Sequence, residues 1–565
     1  MGIEMSENNI DLYSHAPEEF SVEESKILNL FFTNTDGNIF FAKNTLPPEL
    51  VGALSSRYSR SEKSVRRIFL DEFYNAEEFA DFISGEGRSQ DSLDEFLNTD
   101  KARNFFKKWL SMYGDDSIAE MGGVNIFFED ISNIASNYLE SFEMGSFLEK
   151  SSRYVSFSSK DSLGKYRYVI PNELLISEYG KDAESIVREM FECYSSLQDP
   201  YLEYIKELYP KGEDETDSSF NNSRSAKRFD DLRDILPFAT RTNVAVHVNG
   251  RILEDIIARG INHPLSEVRN LSKVLLEESK KIVGSFTDRV ESSRGEELSS
   301  YHRDVLGFSL QNAPDFMKTD NNGITELLSE ASVELVSYPD ENEIYVLASV
   351  LYDKSLLDRG FKWYVDYVRS LNPEEIKDLY DKFLSLRYFS GEQREQVRGK
   401  KLPNAFKFNN YTFEIKSRGG DYRDLFRHRV VVHQRPKFST KLGYSLDDDL
   451  KDSPYYGEIK KLFEKIDKFH RSLPEEILHY GEYLIPYAFH QRYLMSMSAW
   501  EAYHLIELRS GTQGRSHYRK IAQKMSDLLK GVHPNIFSGL KTDYKSYSLS
   551  RRESEKNISK KLDIS

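Results

Sequence analysis

Cysteine is almost absent. The 565 residues hold one, Cys193, between Glu192 and Tyr194. A single thiol permits no disulfide within the chain and no cysteine-built metal centre. Long apolar runs are also missing: no stretch of about 18 apolar residues occurs, so nothing reads as a membrane span. The N-terminus is acidic and polar, without the basic-then-apolar pattern of a secretory leader. Met1-Gly2 is followed by no polybasic second anchor. The expectation is a soluble, cytoplasmic chain that makes no membrane contact. Positive charge is in deficit, with 76 Lys and Arg against 92 Asp and Glu, a net charge of −16. Such a surface repels phosphate backbones except at local basic patches, here around Arg57 to Arg67 and over 427–441. A general nucleic-acid binder is therefore not expected. No metal-ligand spacing stands out, and His247 and His263 read as packing or capping residues.

What the chain does have is material for cores. Hydrophobic residues make up 39%, with 34 Tyr and 36 Phe, and the length suits two to four domains. A helix over 22–34 leads to a turn at Asn34-Thr35-Asp36-Gly37 and a short strand. Apolar spacing predicts a helix over 49–85 that carries the basic residues Arg57, Arg60, Lys63, Arg66 and Arg67. Residues 84–98 read as a loop. Ser117, with Glu120 three positions on, reads as a capping box. The strand 124–129 and a helix ending near Phe147 follow. Glu149, Ser151 and Arg153 alternate, so an extended chain would present them on one face. A helix spans 181–211, and residues 230–283 read as two long helices. Residues 290–325, rich in Ser, Asn and Asp, read as a connection. The second half opens with helices over 325–389. A loop comes next, then the strand 411–415, the cluster Arg427-His428-Arg429 and further helices, and the chain closes with a mobile tail from 548.

The two halves share an order of parts. Each has a strand, a polar segment, and later an apolar-Pro step read as helical: Leu236-Pro237-Phe238-Ala239 and Ile485-Pro486-Tyr487-Ala488. Each then has a helix ending in Arg, at Arg259 and Arg509. Pro237 to Arg259 is 22 positions and Pro486 to Arg509 is 23. That agreement argues for tandem duplication. The expected division is a first domain with its N-terminal extension over 1–290, a linker over 291–324, a second domain over 325–547 and the tail 548–565.

At these residues the chain resembles the flavin-dependent thymidylate synthase family, twice over, across 113–283 and 407–530. The family carries an R-H-R tripeptide, a downstream E-x-S-x-R-Y segment, an Arg before a Leu-Pro step, an N-x-R pair and a helix ending in Arg. The first half keeps Glu149, Ser151, Arg153, Tyr154, Arg233, Asn249, Arg251 and Arg259. It has Ser141-Phe142-Glu143 in place of R-H-R, and Asp115 in place of a turn histidine. The second half keeps Arg427, His428, Arg429 and Arg509. It has Arg435-Pro436-Lys437-Phe438-Ser439 for the E-x-S-x-R segment, Glu482 where Arg233 stands, and Ser498 and Trp500 for N-x-R. Asp424 and Lys407 also depart from the family's Gln and Glu.

The resemblance implies an α+β fold of two tandem domains, each a small, mostly antiparallel sheet packed with long helices. It implies FAD as cofactor, and methylation of dUMP to dTMP with methylenetetrahydrofolate and NADPH. Since the losses in the two halves are complementary, it implies one composite site per chain. Arg509 would act at the pyrimidine. Arg427, His428, Arg429, Glu149, Asn249 and Arg251 would face FAD. Glu149, Ser151, Arg153, Arg233, Arg427 and Arg509 would face dUMP. The other combination, Ser141-Phe142-Glu143 and Arg259 with Arg435 and Glu482, should be dead. Family members are tetramers, so a duplicated chain should self-associate as a homodimer. The alternative is a flavin- or nucleotide-binding homologue that has lost catalysis and serves a structural or regulatory role.

Overall fold

The computed structural model describes residues 18–37, 40–43, 46, 48–59, 61–74, 119–151, 155–213, 215–312, 330–387, 400–512, 514–547, 549 and 552. The loop read at 84–98, Arg60, Asp115, Ser117, Arg153, Tyr154 and nearly all of the tail lie outside them. The chain forms two compact units: Met1–Phe127 with Met144–Phe147 and Ala245–Pro314, and Phe128–Glu143 with Leu148–Val244 and Asp315–Ser565.

In the first unit, helix Val22–Phe31 opens on a Ser21–Glu24 capping box. The helix read over 49–85 is interrupted. Helix Pro48–Tyr58 ends, Ser64 caps a new helix at Val65–Ile68, and the chain widens to a π-helical turn at Phe69–Tyr74. Leu28, Phe31, Phe32, Leu50, Leu54, Phe69 and Phe73 form the core beneath. The basic cluster on these turns is spent locally. Arg66 is buried and donates to the Asn34 and Gly37 carbonyls, Arg67 pairs with Glu18 and Glu24, and Arg57 with Glu72. The unit closes with helices Gly250–Ile261, Ser266–Thr287 and Ser293–Asn312. The last fills most of the stretch read as a connection, because Leu298, Tyr301, Val305, Leu306 and Phe308 lie within its polar sequence. Gly250 is required where it stands: a Cβ there would lie 2.5 Å from the Phe286 ring.

Among the described residues seven strands carry the sheets: β1 Gly123–Ser132, β2 Ser146–Glu149, β3 Arg241–Asn249, β4 Ser332–Ser337, β5 Asn410–Arg418, β6 Val432–Gln434 and β7 His490–Ser498. The three-stranded sheet runs β1-β3-β2 and the four-stranded one β4-β5-β7-β6. In the second, β5 pairs antiparallel with β7 from Asn410↔Ser498 to Arg418↔His490, with β4 and β6 antiparallel on either side. Without the edge strand β4 the two orders match element for element. Each repeat runs strand, helix, turn, strand, then Pro step, strand, helix. The helices in these places are Asn133–Glu140 and Gly419–Leu425, then Gly250–Ile261 and Ala499–Arg509. The tandem α+β reading thus holds at the level of topology.

Four further expectations are corrected. β3 and β7 stand where continuous helix was read. Thr242, Val244, Val246 and Val248 are buried and alternate with less buried residues along β3, a period of two. The Pro steps therefore lie between a 3-10 turn and a strand, since proline's fixed φ and missing N–H suit that junction. The helix after β1 ends at Glu140, and β2 then extends through Phe147 to Glu149. Lastly, β4 precedes the helices of the second half.

Within the second unit the two Pro steps pair with each other. Pro237 and Pro486 form an antiparallel bridge. The Phe238 amide donates to the Ile485 carbonyl and the Tyr487 amide to the Leu236 carbonyl, both at 3.0 Å. Ala239 donates to Tyr483 and Ala488 to Asp234 in the same reciprocal way. Equivalent residues exchange equivalent bonds, the isologous pattern of a two-fold axis, here internal to one chain.

Candidate active site

β2 ends on Glu149, and helix Gly419–Leu425 with the turn after it supplies Arg423 and Arg427. The three meet in the second unit. Arg423 Nη2 donates to Glu149 Oε1, and Arg427 Nη2 donates to Glu149 Oε2 at 3.0 Å. Burial alone would raise the Glu149 carboxyl. The Arg423 and Arg427 guanidiniums outweigh it and hold the group below the ordinary carboxylate range. Glu140, at the end of its helix, is a second buried carboxyl here. Burial, with Glu149 adding to it, pushes Glu140 up to about 7 against Arg427, Arg423 and Arg429. Burial lowers Arg429.

One step away, Arg233 Nη2 donates to Asp424 Oδ2 at 2.8 Å, both side chains being buried. The residue that departs from the family's Gln is thus the partner of Arg233. Next to it, Asp234 and Asp447 share Arg418 and Arg515. Arg515 Nη2 lies 2.9 Å from Asp234 Oδ2 and 3.1 Å from Asp447 Oδ2. This network joins the first repeat's Pro-step turn to the second repeat's helix starts.

His428 is buried between two residues of helix Ala499–Arg509. Its Nδ1 lies 2.9 Å from Glu501 Oε1, and Arg509 Nε donates to its Nε2 at 2.9 Å. Burial, then Arg509, His504 and His433, hold His428 well below the ordinary imidazole range. Burial raises Glu501 to about 7, opposed by Lys401 and Arg509.

Five of the expected site residues from both repeats, Glu149, Arg233, Arg427, His428 and Arg509, are thus tied into buried ion pairs or hydrogen bonds within the second unit, and Arg429 lies near Glu140. Ser151 is described, two residues past the end of β2. Asn249 and Arg251 belong to the first unit. Asn249 caps its helix by accepting from the Ile252 amide, and the half-exposed Arg251 pairs with Glu120. Sequence reasoning missed Arg423, Glu140, Glu501 and His504. Among the described residues, His428, Glu501 and His504 bring ligand-type atoms within 4.8 Å of one another; the Glu-x-x-His spacing was the available signal.

The reciprocal combination looks different. Phe142 turns inward, edge-on to Tyr138, and Glu143 is exposed. Arg259 pairs with Asp255 on its own helix. Glu482 is buried against Lys437 at 3.0 Å and Arg435 at 3.3 Å. Burial would raise its carboxyl, but Lys437 and Arg435 hold it low. Cys193 is unsuited to nucleophilic work, since burial, with Glu458 adding to it, pushes the thiol up to about 12. No helix among the described residues is long and apolar enough to cross a membrane.

Comparison with known proteins gives one family. The model of the thymidylate synthase complementing protein matches twice, over residues 67–283 and 334–535. A "UPF0159 protein" of Chlamydia muridarum is 33% identical over 95% of this chain and 98% of its own. Another, of Chlamydia pneumoniae, is 31% identical over 89% and 91%. A protein of Clostridium tetani named flavin-dependent thymidylate synthase is 24% identical over 33% of this chain and 69% of its own. Two copies of one family domain, with the same strand order and a reciprocal Pro-step pairing, make this chain a tandem member of the thymidylate synthase complementing protein family.

Proposed function

We propose that the chain methylates dUMP to dTMP with methylenetetrahydrofolate and NADPH, using FAD, at one composite site per chain. The observation that carries the reading is Glu149 of the first repeat held by Arg423 and Arg427 of the second. Glu149 and Arg233, kept by the first repeat, pair with Arg423, Arg427 and Asp424 of the second. Three guanidiniums, Arg423, Arg427 and Arg429, against Glu149 and a Glu140 that is only part ionised near neutrality leave a local positive excess. More than a third of Arg427 is exposed. That donor set fits a pyrophosphate, so Arg427 and Arg429 would hold FAD, which supplies hydride chemistry when bound. Ser151, Arg153 and Arg233 would hold the phosphate or sugar of dUMP. Arg509 would stabilise negative charge spreading over the pyrimidine, a role the raised Cys193 thiol cannot replace by addition at C6. The assignment divides the chain into domains 1–290 and 325–547 and has it self-associate as a homodimer in the cytoplasm.

One observation favours a second reading, a homologue that binds flavin or nucleotide without turning it over: Asp424 already accepts from Nη2 of Arg233, the guanidinium meant for phosphate. Tritium release from 5-tritiated dUMP, with folate and reduced flavin present, separates the two. Release above the protein-free rate is expected. A yellow protein that releases none establishes the second reading instead.

A further inference from the structure

A guanidinium Nε–H can only donate. Arg509 Nε sits 2.9 Å from His428 Nε2, so that ring nitrogen must present its lone pair. In a neutral ring the proton is then on Nδ1, where Glu501 Oε1 accepts it at 2.9 Å. We propose that Glu501 is a positioning residue that fixes His428 as its Nδ1–H tautomer, and through His428 holds the Arg509 guanidinium in place. Its functional meaning rests on the reading of Arg509 as the group facing the pyrimidine.

The surroundings support the assignment. Glu501 is 1% exposed, and its Oε2 has no hydrogen-bond partner among the described residues. A carboxyl buried for a single bond is costly, and such orphans call for a local reason. Orienting a ring is such a reason. Glu501 also stands at the third position of its helix, after the cap Ser498, where a capping-box glutamate would turn back to the cap amide. Its Oε1 reaches the imidazole instead. Glu501 serves in either protonation state, because a protonated carboxyl keeps a carbonyl oxygen that accepts.

His504 completes a His-Glu-His group that has the look of a cation site. A cation on His428 Nδ1 would drive the ring proton to Nε2, directly against the Arg509 Nε–H. Donor would then face donor, so the geometry favours the hydrogen-bonded chain.

The test uses the full-length protein with 15N-labelled histidine, the His428 signals being identified by their loss in His428→Asn. The Nδ1–H tautomer is expected in the wild type and in Glu501→Gln, and a tautomer mixture in Glu501→Ala. In the tritium assay Glu501→Ala should lose about tenfold or more in kcat with KM little changed, since misplacement of a reacting group acts on the rate. Glu501→Gln should restore most of that loss, a rescue that a merely structural carboxylate would not give. An Nε2–H tautomer in the wild type overturns the proposal. So does one equivalent of a transition metal that disappears from both Glu501→Ala and His504→Ala. The tautomer is read without turnover: a correct tautomer in a protein that releases no tritium upholds the positioning contact and removes the thymidylate synthase reading.

Discussion

Glu149 shows how much one side chain can settle. Its two oxygens take two arginines that lie about 275 positions away in sequence, and it is buried while doing so. Removing one member of a buried ion group leaves uncompensated charge, at a cost of about 3–5 kcal/mol. Glu149→Ala should therefore lower the urea midpoint strongly. Arg259→Ala, in an exposed pair with Asp255, should change stability by less than about 0.5 kcal/mol. Glu140 gives a prediction with a definite sign. It is protonated in folded and unfolded chains well below pH 4.5; between about 4.5 and 7 the folded chain keeps the proton that the unfolded one releases. Folding thus loses stability as pH rises across that window. Glu140→Gln should raise the urea midpoint at pH 8 and leave it nearly unchanged at about pH 3.5. Equal gains at both pH values would show that the carboxyl is not held protonated. The sequence displayed Glu149, Arg233, the Arg427 cluster and Arg509, because their spacing is shared by a family. It hid Glu140, Arg423 and Glu501, which lie in ordinary helical patterns and gain meaning only from what packs against them.

Among elements, β3 and β7 were the chief omissions, and their period-two burial was present in the letters. Tyr493, Met495 and Met497 are buried and alternate along β7 as Val244, Val246 and Val248 do along β3. Each strand runs straight into a helix, so a reading by helical period carried the helix backward through it. The helix Ser293–Asn312 was hidden the other way, by Ser and Asn content that reads as linker. The Pro steps were legible as repeats but not as partners, because reciprocal pairing is a tertiary fact. Gly419 marks how tightly they sit: a Cβ there would lie 2.8 Å from the Phe238 ring, a residue of the opposite repeat's Pro step. Phe238 is itself pinned by stacking on Phe438 at 4.1 Å and by Tyr487 edge-on at 4.9 Å. Gly419→Ala should cost about 1–3 kcal/mol through overpacking, and Phe238→Leu should recover part of that loss. No recovery in the double variant would place the strain elsewhere.

For the whole chain, duplication followed by specialisation accounts for the topology, the internal two-fold pairing and the unequal pair of site remnants. The Asp234, Asp447, Arg418 and Arg515 network and the Pro-step bridge bury charge and backbone from both repeats together. Asp234 of the first repeat and the Pro-step amides of both have their partners in the opposite repeat. Residues 1–290 and 325–547 expressed apart should therefore give aggregated or unfolded protein, and expressed together they should copurify. A 325–547 fragment that folds cooperatively by itself would show that the repeats are energetically independent. The central claim is one working site per chain, built from both repeats. Calorimetric titration of the flavin-loaded protein with dUMP tests it most directly. The account predicts one equivalent bound per chain, lost alike in Glu149→Ala of the first repeat and Arg427→Ala of the second. Two equivalents per chain, or binding that survives either substitution, would contradict it.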